Sequence, residues 1–105
     1  MGNMVKEMSL EKLNEACSIF KSIYGRSKNM MTDEVITYDF ISPHHIYEMS
    51  KGKGIFQKDL FGITVVSQNR ISGVWEKCPD LGGCFYSRKE AKEYVEELKE
   101  RFKDE

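Results

Sequence analysis

The chain has 105 residues, 40% hydrophobic and 31% charged, with 16 Lys plus Arg against 17 Asp plus Glu for a formal net charge of −1. This composition excludes collagenous, low-complexity and disordered chains, and a single domain of this length buries roughly two thirds of its extended surface on folding. The near-neutral balance holds segment by segment, which removes the basic excess that phosphate binding normally requires.

Leu10, Leu13, Ala16, Cys17, Phe20, Ile23 and Tyr24 recur at helical spacing among polar residues, which predicts an amphipathic first helix. Ser9 is its expected N-cap, with Met8 and Leu13 as a hydrophobic staple, and Gly25 its left-handed stop. Residues 1–8 are expected to be flexible and 26–33 to form a loop. Glu34 to Ile41 alternates Ile36, Tyr38 and Phe40 with Val35, Thr37 and Asp39, a strand pattern. Ser42 and Pro43 then offer an N-cap and N1 for a short second helix through His44, His45, Ile46, Tyr47, Glu48 and Met49, stopping near Gly52. The connection through Ile55, Phe56, Leu60 and Phe61 is apolar enough to be expected to pack down on the body.

Ile63–Ser67 and Val74–Cys78 read as a hairpin, and Cys84–Tyr86 as a short further strand after the Pro79–Gly83 turn. Ser87 and Glu90 match a capping box for a last helix whose stripe is Ala91, Tyr94, Val95, Leu98 and Phe102. The expected architecture is a single α+β domain over 1–105, in the order α-β-α-β-β-β-α. A small antiparallel sheet of three to four strands carries the two long helices on one face, since each helix has one apolar stripe to bury.

No apolar run reaches the roughly 20 residues that span a bilayer, so no membrane association is expected. Three cysteines, Cys17, Cys78 and Cys84, are too few for a disulfide scaffold, in keeping with a reducing, cytoplasmic setting. Adjacent His44 and His45 would point about 100° apart on a helix, and Cys78 and Cys84 are spaced more loosely than structural zinc ligands, so no metal is expected. No catalytic constellation, phosphate loop or dinucleotide fingerprint is present, and neither an enzyme nor a cofactor is expected.

Two groups of residues remain as candidates for binding. Lys51, Lys53 and Lys58 can form an anion-binding corner, with Arg88, Lys89 and Lys92 as further phosphate contacts. Met4, Met8, Met30 and Met31 lie outside the predicted elements, and adaptable methionine surfaces bind protein partners.

Arg88, Lys89, Ala91 and Lys92 resemble the basic motif opening the last helix of double-stranded-RNA-binding domains, an αβββα fold. That resemblance implies phosphate contacts across a groove, although Glu93, Glu96 and Glu97 and the extra helix depart from the pattern. The order strand, turn, Gly73-Val74-Trp75, short strand, then Phe85-x-Ser87-x-x-Glu90-Ala91-x-x-Tyr94, covering Gly62 to Phe102, resembles small uncharacterised α+β proteins of bacteria and their phages. It implies a fold and no activity. The expected function is a non-catalytic protein-binding or regulatory module, such as a dimer or a small inhibitor or adaptor from a mobile element. A nucleic-acid-binding module is the alternative.

Overall fold

The structure, a computed structural model, describes residues 2–24, 34–54 and 56–104, without the side chains of 2–10. Its elements are α1 (Gly2–Tyr24), β1 (Glu34–Ser42), β2 (His45–Lys53), β3 (Asp59–Gln68), β4 (Trp75–Lys77), β5 (Gly83–Phe85) and α2 (Arg88–Arg101), with a 3-10 turn at Pro79–Leu81. The α+β class is as expected. All strand pairs are antiparallel, in the order β1-β2-β3-β4, and β5 joins β3 beside β4 to complete a five-stranded sheet.

The expected short helix over 44–52 is instead strand β2, paired with β1 from Glu34↔Lys51 to Ser42↔His45 and with β3 from His45↔Ser67 to Lys53↔Asp59. Ser42 and Pro43 open a hairpin rather than a helix, with the Ser42 hydroxyl accepting from the His44 amide at 3.1 Å. The misreading has a physical cause. Ile46, Tyr47 and Met49 are all buried, at 0%, 7% and 2% exposure. A strand covered on both faces loses its polar alternation and imitates helical spacing.

The two long helices lie on opposite faces of the sheet, not on one face as expected. Ala16 and Phe20 of α1 pack on Ile46 and Val66, with Tyr38, Phe40 and Trp75 around them. Ala91, Val95 and Leu98 of α2 pack on Tyr47, Met49, Phe61, Ile63 and Val65. Neighbours along a strand point to opposite faces, so Ile46 and Val66 belong to one side and Tyr47 and Val65 to the other. β1 has register shifts between Val35 and Thr37 and between Phe40 and Ser42. The first of them turns Ile36 toward the α2 side, where Ile41 lies by plain alternation, while Tyr38 and Phe40 stay under α1.

α1 begins at Gly2, so Ser9 lies inside the helix and is not its cap. The expected flexibility of 1–8, the Gly25 stop, the 26–33 loop and Ile55 fall wholly or partly outside the described residues, as do Met30, Met31 and the side chains of Met4 and Met8. At the last helix Ser87 is the N-cap as expected: its hydroxyl accepts from the Glu90 amide at 3.1 Å. Ser87→Ala is therefore expected to cost about 1 kcal/mol, read from the urea midpoint. An unchanged midpoint would remove the cap from the stability of α2.

β5 can lie against β3 only because residue 82 is glycine, since a Cβ there would stand 2.9 Å from the Ile63 carbonyl oxygen. The β3–β4 turn is held by Asn69, whose side chain accepts from the Ile71 and Ser72 amides at 2.8 and 3.0 Å, and by Gly73 at φ 78°.

Candidate docking surface

β2 and β3 run together as far as Lys53↔Asp59, and five residues close the hairpin. The Gly54 amide donates to the Lys58 carbonyl at 2.8 Å and the Gln57 amide to the Gly54 carbonyl at 3.0 Å, with Gln57 at φ 64°. Within this loop Phe56 stays outside the core at 81% exposure. This corrects the expectation that the whole connection packs down. Of its apolar residues, Phe61 is buried and Leu60 half-buried, and Phe56 points away.

Tyr86 arrives beside it from the other direction. Phe85 turns toward the Tyr94 ring, 5.2 Å between centroids, and Tyr86 occupies the step between β5 and the Ser87 cap at 70% exposure. Phe56 and Tyr86 line one cleft of about 770 Å³ with Lys53, Gly54, Gln57, Lys58, Asp59 and Leu60.

The described residues lining this cleft carry two lysines, Lys53 and Lys58, and one carboxylate, Asp59. Lys53 and Lys51 both reach Asp59, at 2.8 and 3.7 Å. The Lys53 hydrogen bond is the main cause holding the Asp59 carboxyl below its ordinary value. One carboxylate is thus shared by two ammonium groups, and Lys58 forms no ion pair among the described residues. The Arg88 guanidinium stands 5.9 Å over the Phe61 ring, whose residue is in register with Lys51. Lys51, Lys53, Lys58 and Arg88 therefore share one end of the sheet.

Lys89 and Lys92 do not line the cleft: they lie on the solvent face of α2 with Arg88, Glu93, Glu96, Glu97 and Glu100. Acids also bound the cleft: Glu34 is in register with Lys51, and Glu90, Glu93 and Glu97 lie along the other side of Tyr86. The excess of positive charge is thus confined to the lining of the cleft, Lys53 and Lys58 against Asp59.

His44, in the hairpin turn, has its Nδ1 3.1 Å from the Gln68 side-chain oxygen. His45 has its Nδ1 2.9 Å from the Ser42 hydroxyl and its ring stacked on Phe102 at 4.1 Å. Both belong to the far end of the sheet. Cys78 packs at the margin of the α2-side core, whereas Cys84 lines the α1 side, and no group of His, Cys, Asp and Glu among the described residues can hold a metal ion.

On the α1 face a second cleft of about 490 Å³ opens beyond the end of the helix, lined by Tyr24, Ser50, Gly62, Thr64, Gly82 and Cys84 among others. Glu48 lies under α1 next to it. Burial, then the hydrogen bond to the Glu48 carboxylate, push the Tyr38 hydroxyl well above the ordinary phenol value, and burial followed by the Glu48 charge raises Tyr24. Both phenols thus stay protonated, and Lys77 stands 5.0 Å over the Tyr24 ring. This polar group ties α1 to the sheet.

Phe56 and Tyr86 were not legible as a pair, because they are thirty residues apart in the chain and meet only through β3–β5 pairing. The available signal was a large aromatic inside a Gly-Lys turn. No helix among the described residues is long and apolar enough to cross a membrane. Compared with known proteins, the chain matches no family model, no curated protein and no solved structure.

Proposed function

We propose that the protein is a non-catalytic binding module that docks a protein partner through the β2–β3 loop end. The observation that carries this reading is the placement of Phe56 and Tyr86, 81% and 70% exposed, on one cleft with half-buried Leu60 between lysines. Exposed aromatic side chains contribute large contact area and dominate interface energetics. A small inhibitor or adaptor from a mobile element is the finer form of this reading, in the cytoplasm and as monomer or homodimer. The Phe56→Ser, Tyr86→Ser double variant is expected to keep the wild-type urea midpoint within about 0.5 kcal/mol, since both side chains face solvent. It is also expected to lose the partners that the tagged wild-type protein retains in its own host, identified by mass spectrometry. An identical partner set in the variant would overturn the reading.

The gathering of Lys51, Lys53, Lys58 and Arg88 favours a second reading, a nucleic-acid module. Against it stand Lys89 and Lys92, interleaved with four glutamates on α2. A gel-shift titration at low salt with duplex RNA, duplex DNA and single strands is expected to show no saturable binding. Micromolar or tighter binding that is lost in Lys53→Glu, Lys58→Glu while the fold survives would promote this second reading.

A further inference from the structure

The charge lining the cleft narrows the chemistry of the partner it can dock. Lys53 and Lys58 line the cleft with Asp59 as the one acidic lining residue among the described residues, and Asp59 is already held by Lys51 and Lys53. The aromatic and aliphatic walls, Phe56, Tyr86 and Leu60, ask for an apolar group, and the surplus of ammonium groups asks for carboxylates beside it.

Two positive partners at one site do not by themselves separate a polyanion from a short acidic segment. The surroundings of Tyr86 do. Its far side is bordered by Glu90, Glu93 and Glu97, and Glu34 is in register with Lys51 on the sheet. A strand carrying a phosphate at every nucleotide would run from the lysines into these acids, where like charges repel. A ligand a few residues long, with its charge confined to one stretch, meets the lysines and an Asp59 whose charge they already balance.

We infer that the Phe56–Tyr86 cleft takes a short acidic peptide segment of a partner protein, its carboxylates on Lys53 and Lys58 and an aromatic or aliphatic side chain between the two rings. The inference rests on the docking reading of the same cleft. Its recognition combines an apolar anchor, which supplies affinity, with charge pairing, which supplies orientation and rate. Because the lysines are exposed, binding weakens as the Debye length shrinks from about 10 Å at 0.1 M salt to about 3 Å at 1 M.

The test uses a displayed library of random seven-residue peptides selected on the intact protein, with enriched peptides then measured by fluorescence polarisation. Enriched sequences are expected to carry an Asp/Glu excess around one aromatic or aliphatic residue. Affinity should fall about tenfold or more, beyond about 1.4 kcal/mol, in both the Lys53→Glu, Lys58→Glu and the Phe56→Ser variants. A single-stranded oligothymidylate of seven nucleotides should compete poorly. Enriched peptides that need Phe56 but carry no acidic excess, and that bind the lysine variant unchanged, would overturn the acidic class while leaving the docking surface in place. Enrichment indifferent to Phe56, or none at all, would overturn both. Tighter binding of the oligothymidylate than of the enriched peptides would replace the peptide with nucleic acid. The double lysine variant is checked by circular dichroism, and Lys58→Gln alone serves where it does not fold.

Discussion

Leu98→Ala is expected to destabilise the domain by about 2–5 kcal/mol, read as a lowered urea midpoint at unchanged slope. Leu98 is fully buried, on the α2 stripe with Ala91 and Val95, and that stripe is what covers Tyr47, Met49, Ile63 and Val65. Removing its branched end leaves a cavity between helix and sheet, which neighbours on a hydrogen-bonded sheet cannot collapse to fill. Against a total stability of about 5–15 kcal/mol for a protein of ordinary robustness, this is a large fraction. A change below about 0.5 kcal/mol would place the stripe in solvent and dismiss the packing described here.

Phe20→Ala is expected to cost about 3–5 kcal/mol by the same measurement. Phe20 is 3% exposed, stacks on Tyr24 at 5.1 Å between ring centroids and meets Tyr38 at 5.5 Å, so it joins α1 to β1 through a run of aromatic contacts. Truncation loses the buried ring and both aromatic pairs, each contributing about 0.5–1.5 kcal/mol beyond area. Because the sheet separates the two helices, substitutions on its opposite sides should act independently. Val66→Ala, under α1, and Val95→Ala, on α2, are expected to add within about 0.5 kcal/mol in a double-mutant cycle. A larger coupling would mean that both side chains share one core, the arrangement that a single covered face would have produced.

The last helix was readable in the chain because all its signals are local: a serine cap, a glutamate three residues on, and an apolar stripe at one period. The C-terminal half of α1, the hairpin at β3 and β4, and the α+β class were legible for the same reason. The segment from Ser42 to Lys53 was not. Ser-Pro serves equally as a helix start and as a hairpin turn, and the run Ile46, Tyr47, Met49 satisfies helical spacing while it is buried on both sides of a sheet. Only the pairing of this segment with β1 and β3 chooses between them, and such pairing joins residues up to tens of positions apart.

The candidate cleft divides in the same way. The lysines at 51, 53 and 58 stand out in the chain as a short basic cluster, because they are close neighbours in sequence. Their setting depends on the hairpin register, which places Asp59 opposite Lys53, and on Tyr86, which reaches the cleft because Phe61 pairs with Phe85. Local composition determined the elements with strong caps and one-sided stripes, the near-neutral charge and the basic turn. Tertiary structure decided which face each helix covers and which aromatics the lysines meet, since a sheet brings distant residues together by backbone hydrogen bonds that carry no mark of their partner in the chain.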